Sequence, residues 1–156
     1  MSKYEQELAT LEEVLGIAGV QVTGWQSQGT QMIRLRVKSR NEYGVCPECG
    51  KLCATTHDIG AEQLIRDLAM SGKRCWLIYR PRRYECERCE RTFVERVGWK
   101  SPELNYTLRY EEHIYGRGRR ETLADVARDE RLSEDVVGNI FERWAKKKSL
   151  PVDTLL

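Results

Sequence analysis

Two short stretches, Cys46-Pro-Glu-Cys49 and Cys86-Glu-Arg-Cys89, decide the fold of this chain. In each stretch two residues separate the cysteines, so one turn of backbone can direct both sulfurs at the same point. Two such knuckles supply four thiolates in the tetrahedral arrangement that a structural zinc ion prefers. Since 36 residues lie between the knuckles, the intervening segment must form structure of its own before the chain returns to close the site.

The expected cofactor is therefore Zn²⁺, one structural ion held by the four knuckle cysteines. Rubredoxin-type iron, which uses similar knuckles, and a redox dithiol are the alternatives. Cys53 follows Cys49 by four residues and could compete as a ligand, whereas Cys75 lies in an apolar stretch and is expected in the core. All four ligand positions are filled by protein, which leaves no open coordination site for catalysis.

The composition indicates a polar chain with a small, divided core. Of 156 residues, 32% are charged and only 8% are aromatic, so a metal would supply folding energy that the core cannot. The sequence contains no run of about 18 apolar residues and no secretory signal. We therefore expect the cysteines to stay reduced in the cytosol, which favours metal binding over disulfides, and we expect no membrane association.

The charge is unevenly distributed. Residues 66–100 carry ten basic and five acidic side chains, and a basic segment beside a metal site is suited to phosphate contacts. A solvated face with scattered ion pairs is the alternative. The predicted phosphate-contacting residues are Arg80, Arg82, Arg83, Arg88 and Arg91.

Periodicity predicts the elements of the first hundred residues. Residues 4–15 have apolar positions at helical spacing, and residues 20–25 and 32–37 alternate like the strands of a hairpin. Further strands are expected at 75–80 and 91–95, which is the layout of a zinc ribbon with knuckles at the turns of β-hairpins. Arg34, Arg36 and Lys38 share one face of the 32–37 strand and its end, and we interpret that face as solvent-exposed.

The last third of the chain is predicted to be helical, with helices at 104–115, from Thr122 to 128, and at 134–147. Its apolar spacing fits a helix-turn-helix, in which small Ala127 permits close helix crossing. The recognition helix would open at Ser133 and present Ser133, Asn139 and Arg143 to DNA. Asn139 would pair with adenine, and Arg143 would contact phosphate or guanine.

Two features of this segment favour the alternative, a plain three-helix bundle used for protein contacts. Arg131 stands in the turn where glycine is common. Glu134 and Asp135 place negative charge at the helix end that would approach DNA, although they also stabilise the helix dipole.

The sequence thus predicts an α+β fold in three domains. Residues 1–45 form an N-terminal helix and β-hairpin, residues 46–100 a zinc-ribbon-like β module, and residues 101–150 a C-terminal three-helix, helix-turn-helix bundle. Within the middle segment, we expect Asp58 or a backbone carbonyl to hold His57, and Arg66 and Asp67 to form a local ion pair.

The chain resembles the N-terminal region of ISL-three-type insertion-sequence transposases. The resemblance rests on Cys46 to Gly50, His57-Asp58, Arg66-Asp67-Leu68 and the run from Arg82 to Glu95. It implies a domain that recognises transposon ends, with the cysteines binding zinc, in the bacterial cytosol or nucleoid. In that family a ribonuclease-H-like catalytic domain follows the helix-turn-helix. No carboxylate here can be assigned to its catalytic set, so we expect no enzyme activity.

These observations predict a zinc-containing protein of transposase origin that binds double-stranded DNA at transposon-end-like or related sites without cleaving it. A homodimer would suit paired half-sites. The alternative is a protein-interaction adaptor that docks a transposase or another component of a larger complex.

Overall fold

The computed structural model describes residues 1–149, and the final residues of the predicted 101–150 domain lie outside that range. Helix α1 (Lys3–Leu15) opens the chain, as predicted. The Ser2 hydroxyl accepts a hydrogen bond from the Glu5 backbone N–H, and the Glu5 carboxylate accepts one from the Ser2 N–H, which closes a capping box. Gly16 ends the helix in the left-handed conformation, at φ 67°.

Nine strands follow within the described residues. They are β1 (Val20–Gln28), β2 (Met32–Ser39), β3 (Gly44–Val45), β4 (Leu52–Cys53), β5 (Thr56–Ile59), β6 (Gln63–Met70), β7 (Lys73–Tyr79), β8 (Arg82–Cys86) and β9 (Arg91–Val94). They form a four-stranded sheet in the order β1-β2-β7-β6, a pair β3-β4, and a three-stranded sheet β5-β8-β9. The strands expected at 20–25, 32–37, 75–80 and 91–95 are confirmed as β1, β2, β7 and β9, whereas the sequence predicts no strand for β3, β4, β5, β6 or β8.

The pairing of β2 with β7 explains how the two knuckles meet. These strands are parallel neighbours, with Val37 opposite Tyr79, so their carboxyl ends lie at the same edge of the sheet. Cys46 lies seven residues beyond the end of β2, and Cys86 lies seven residues beyond the end of β7. The sheet therefore delivers both knuckles to one place at equal distances along the chain. It also joins strands from both sides of the predicted boundary between residues 45 and 46.

Three helices complete the described chain: α2 (Leu108–Gly118), α3 (Leu123–Glu130) and α4 (Glu134–Ser149). The hydroxyls of Thr122 and Ser133 accept hydrogen bonds at the starts of α3 and α4, from the N–H groups of Asp125 and Val136. Arg131 ends α3 at φ 56°, a left-handed conformation that usually favours glycine. A positively charged side chain therefore occupies the turn without preventing it.

The prediction that α2 begins at residue 104 is wrong. Backbone hydrogen bonds to β6 keep that segment out of the helix: the Arg66 N–H donates to the carbonyl of Asn105 at 3.0 Å, and the Thr107 N–H donates to the carbonyl of Arg66 at 2.9 Å. Thr107 then caps the helix by accepting from the Tyr110 N–H. Tertiary pairing thus overrides local helical spacing until a capping hydroxyl is reached.

The buried apolar residues of the described chain form three separate clusters. One lies between α1 and the four-stranded sheet, and it contains Cys75, fully buried as predicted. The second lies among α2, α3 and α4 and includes Val137, Ile140 and Trp144. The third, much smaller, surrounds the knuckles. The predicted partition of a limited core into small parts is confirmed.

A network of buried charges joins the sheet to the helices. The Arg66 guanidinium donates to the backbone carbonyl of Glu130 at 2.5 Å and to its carboxylate at 3.4 Å. The carboxylate of Asp67 accepts from the Thr107 hydroxyl and the Arg109 guanidinium, each at 2.8 Å. The predicted ion pair between Arg66 and Asp67 is wrong because successive residues of a strand point to opposite faces.

Ionisation of Glu130 is expected to contribute to stability in a pH-dependent way. Burial opposes its charge, but hydrogen bonds from Tyr110 and His113, together with the nearby charge of Arg66, hold the pKa of this carboxyl below its ordinary value. For a carboxyl whose pKa is lower in the folded state, the stabilisation is present above the unfolded pKa, about 4.3, and is lost as pH falls through the folded pKa.

We therefore expect Glu130→Gln to lower the free energy of unfolding near neutral pH, and the difference from the wild type to shrink as pH falls below about 4. Urea unfolding of both proteins at matched pH measures this difference. Protonation of the cysteines affects the free energy of unfolding of both proteins equally, so it cancels in the difference between them. A difference that stayed constant down to about pH 3 would contradict the assignment.

Within residues 1–149, no helix combines the length and the apolar character needed to cross a membrane.

Candidate metal centre

The sulfurs of Cys46, Cys49, Cys86 and Cys89 converge to within 4.8 Å of one another. The Sγ atoms of Cys46 and Cys89 are 3.9 Å apart, and those of Cys49 and Cys86 are 3.6 Å apart. Four sulfurs placed about 2.3 Å from a central zinc ion would be separated by about 3.8 Å. The measured separations bracket that value and are far longer than the roughly 2.05 Å of a disulfide. The four cysteines therefore fit one structural zinc ion.

Matching turns build the two knuckles. In the first, the Cys46 N–H donates to the Lys51 carbonyl and the Gly50 N–H donates to the Cys46 carbonyl, both at 2.9 Å. Gly50 and Glu90 each follow the second cysteine of their knuckle, and both have positive φ, 74° and 54°. In both knuckles, a residue in the left-handed conformation thus reverses the direction of the backbone directly after the second cysteine. Glycine makes this step without strain, whereas a glutamate pays roughly 1–2 kcal/mol.

The protein core around the knuckles is small. The buried cluster consists of cysteines with Tyr84, supported by the partly buried Phe93. These two rings press against the backbone of Gly44, where an added Cβ would lie 2.6 Å from a Tyr84 ring carbon. A core of this size supplies little folding energy, so the ribbon depends on bonds to the metal.

The protonation of the four sulfurs also favours a cation. The pKa of the Cys86 thiol is lowered, first by a hydrogen bond from the Cys89 backbone N–H. The pKa of the Cys89 thiol is raised, first by its hydrogen bond with the Cys49 sulfur and then by burial. The Cys86 thiolate therefore forms readily, whereas the Cys89 thiol resists ionisation unless a positive ion compensates for the accumulating charge.

The fifth cysteine of this region, Cys53, is buried beside the knuckles. Its thiol donates to the Lys51 carbonyl at 3.4 Å, and its sulfur is not in the group of four that converge. Cys53 is therefore a packing residue of the ribbon.

A ribbon of short strands that brings two cysteine knuckles together defines a zinc ribbon, a class in which the ion is structural and not catalytic. Residues 42–89, which include all four cysteines, match the family model for the zinc-finger of transposase IS204/IS1001/IS1096/IS1165. No curated protein and no solved structure matches the chain. The resemblance predicted from the sequence is thus confirmed for the ribbon, and the match includes neither α1 nor the helices α2 to α4.

The five arginines predicted to contact phosphate have different surroundings. The Arg83 guanidinium forms an ion pair with Asp58 through two nitrogens, which joins β8 to β5. Arg82 donates to the Asn41 carbonyl at 2.6 Å, and Arg80 donates to the Gly60 carbonyl at 2.9 Å. Arg88 is exposed, and Arg91 approaches Glu48 only to 3.8 Å. Arg88 and Arg91 are therefore the least engaged of the five.

The structure also gives different partners to the residues next to Arg83. The imidazole Nδ1 of His57 lies 2.8 Å from a carboxylate oxygen of Glu85. The expectation that Asp58 or a backbone carbonyl holds His57 is wrong, because Asp58 is occupied by Arg83 on the adjacent strand.

The three residues predicted on α4 are linked to structural partners. The hydroxyl of Ser133 caps the helix. The Arg143 guanidinium donates to the Asn139 side-chain oxygen at 3.1 Å and to the Glu111 carboxylate at 2.5 Å. Glu111 is 1% exposed, so Arg143 neutralises a buried charge between α2 and α4.

Sequence reasoning missed Glu111 and Glu130 as partners of arginine. Glu111 follows Tyr110 and stands four residues after Thr107, at the first turn of α2. Its burial depends on how α2 docks against α4, where the Arg143 guanidinium and the Trp144 indole N–H donate to this carboxylate.

Proposed function

We propose that the chain is a zinc-stabilised module of transposase type that binds double-stranded DNA, with preference for transposon-end-like or related sequences. The observation that carries this proposal is the four-sulfur centre within a segment that matches the zinc finger of a transposase family. The composition of residues 66–100 supports it, since that segment, which contains the second knuckle, carries ten basic and five acidic side chains. A structural metal centre implies that the ribbon has a binding role and no catalytic one.

Within this proposal, Arg88 and Arg91 are the principal phosphate contacts of the ribbon. Both side chains extend from the second knuckle into solvent, and Arg91 has only a weak, exposed ion pair with Glu48. Arg80 assists from the preceding turn. Arg82 and Arg83 support the ribbon through their protein partners and contribute positive charge at longer range.

The helices after residue 101 form the second DNA-contacting part, as a helix-turn-helix made by α3 and α4. Three observations support this assignment: the short turn at Arg131, the buried Ala127 where the helices cross, and one exposed face on the N-terminal half of α4, which carries Glu134, Asp135 and Asn139. Asn139 is exposed on that half and keeps its amide N–H groups available to a base. Arg143 holds Asn139 in place and reaches DNA only at the edge of the interface.

The test is selection of zinc-loaded protein on a randomised duplex library at near-physiological salt. We expect enrichment of a defined motif, weaker binding to all sequences for Arg88→Gln/Arg91→Gln, and an altered motif for Asn139→Ala. Loss of two phosphate contacts reduces the slope of log affinity against log salt by about 1.8. Retention of DNA without any enriched motif would overturn sequence recognition, and no retention would overturn DNA binding.

A second candidate function is docking to a transposase or another protein. It is favoured by the exposed apolar side chains of Tyr43, Val45 and Leu52, at 46%, 55% and 62% exposure, which lie together beside the first knuckle. The acidic start of α4 favours it as well. A salt-insensitive protein complex formed by a chain with no DNA affinity would support this function.

A further inference from the structure

One face of the four-stranded sheet is basic and lies opposite α1. Side chains of alternate residues point to opposite faces of a strand, and Ile33, Leu35 and Val37 of β2 face the core beneath α1. We call the opposite side the outer face. Its residues are Arg34, Arg36 and Lys38 on β2, Arg74, Trp76 and Ile78 on β7, and Leu64 and Arg66 on β6.

The centre of the outer face is a tryptophan surrounded by arginines. Trp76 lies opposite Arg34 on one neighbouring strand and opposite Arg66 on the other, each about 4.8 Å away between backbones. The guanidinium carbons of Arg66 and Arg74 are 5.5 and 5.9 Å from the centre of the Trp76 ring. The indole thus serves as an apolar support that holds cations in a fixed arrangement.

Only some of these cations have an acidic partner. Arg36 pairs with Glu62 at 3.1 Å, and Arg66 pairs with Glu130. Within residues 1–149, Arg34, Lys38 and Arg74 take part in no ion pair. The Nε of Arg34 is buried and has no hydrogen-bond partner in that part of the chain. Clustered like charges repel, and a buried unpaired donor is costly, so anions from outside the chain would stabilise the face.

The outer face adjoins the proposed DNA-reading helices. The guanidinium of Arg66 contacts Trp76 and also donates to the backbone carbonyl of Glu130. The turn between α3 and α4 therefore lies at the border of the face, and the exposed Arg131 in that turn extends the basic surface. A duplex that met the start of α4 would pass beside this border.

We propose that the outer face binds the phosphate backbone of duplex DNA through Arg34, Lys38 and Arg74, as a contact surface separate from the zinc ribbon. This inference rests on the proposed function, since it supplies a further surface for the same ligand. Cations two residues apart on an extended strand are spaced by about 7 Å, and such a row suits a polyanion of regular charge better than a single bound ion.

The test uses the full, zinc-loaded chain and a fluorescently labelled duplex, with affinity measured over a range of salt concentrations. The variant Arg34→Gln/Arg74→Gln is compared with Lys3→Gln/Arg40→Gln. This control removes the same charge from α1 and from the strand end beside it, where Arg40 pairs with Glu12. We expect the first variant to reduce the salt slope by about 1.8 and the control to change it little.

The variant Arg34→Lys/Arg74→Lys keeps the charge and is expected to keep most of the slope. If the glutamine variant loses its zinc or its circular dichroism spectrum, Lys38→Gln replaces it, because this exposed side chain can be changed without disturbing the core. Its expected reduction in slope is about 0.9. If the wild type binds the duplex and a folded variant shows the same slope of log affinity against log salt, the outer face does not bind DNA. That result would leave the proposed function standing. A wild-type protein without duplex affinity would overturn both.

Discussion

Cys49→Ser is expected to abolish zinc binding and unfold the ribbon. The protein releases the ion because three thiolates and a hydroxyl cannot match the affinity of four thiolates, and binding of a structural zinc ion supplies about 10–16 kcal/mol in small zinc domains. The buried cluster around Tyr84 is too small to replace that contribution. Strands β8 and β9 should lose their pairing, while the helical core around Trp144 should persist.

Metal analysis and native mass spectrometry measure the first effect, with one zinc ion per chain expected in the wild type. Amide hydrogen exchange or limited proteolysis measures the unfolding of the ribbon. The matched control is Cys53→Ala, which removes a buried sulfur from the same cluster without touching the four ligands. A Cys53→Ala protein that lost its zinc, or a Cys49→Ser protein that kept a full complement, would contradict the four-cysteine site. A chelator should reproduce the effect of Cys49→Ser.

Arg66→Met is expected to have the second-largest effect, a loss of about 2–3 kcal/mol in the free energy of unfolding. It removes the buried guanidinium that donates to the backbone carbonyl and the carboxylate of Glu130, although Arg117, 3.3 Å from the same carboxylate, remains as a cationic partner. The residue Arg66 is 6% exposed, and its guanidinium also contacts the rings of Trp76 and Tyr110 at 5.5 and 5.0 Å. Methionine retains much of the apolar stem, so the loss reports mainly on the charge and its hydrogen bonds. The same change frees the α3–α4 turn from β6.

Urea unfolding of the zinc-loaded proteins provides the measurement. Arg36→Met is the matched control, since Arg36 is also an arginine of the sheet with an acidic partner, but both groups are 52% exposed and their pair contributes only about 0–1 kcal/mol. Glu130→Gln should cost less in the Arg66→Met background than in the wild type, because one cationic partner of the carboxylate is already gone and the two changes are coupled. Equal costs for Arg66→Met and Arg36→Met would refute the buried connection between sheet and helices.

Much of the local structure could be predicted because its causes are local. Thr122 and Ser133 were correctly predicted as helix caps, since a hydroxyl before an apolar-periodic run accepts from backbone N–H groups three residues on. The four zinc ligands were predicted because two residues between cysteines allow one turn to aim both sulfurs. Strands β1, β2, β7 and β9 followed from alternation and β-forming residues.

The errors arose where distant segments meet. Residues 104–107 have helical spacing, yet backbone hydrogen bonds between Arg66 on β6 and residues 105 and 107 keep this segment out of the helix. The sequence also shows no sign of the partner of Arg143, because Glu111 is 32 residues away; the contact of Arg143 with DNA stays a prediction. Neither interaction leaves a signal in the nearby sequence, since each depends on how α2 docks against the sheet and α4.

Local sequence patterns suffice to predict the parts of this protein: four thiolates in two knuckles, a basic segment that contains the second knuckle, and capped amphipathic helices after it. How those parts are arranged in space is visible only in the tertiary structure. The parallel pairing of β2 with β7 places both knuckles at one edge of the sheet, and Arg66 joins that sheet to Glu130 at the end of α3. These contacts join residues that are far apart in the sequence. They therefore depend on the packing of the whole fold, which no local pattern reveals.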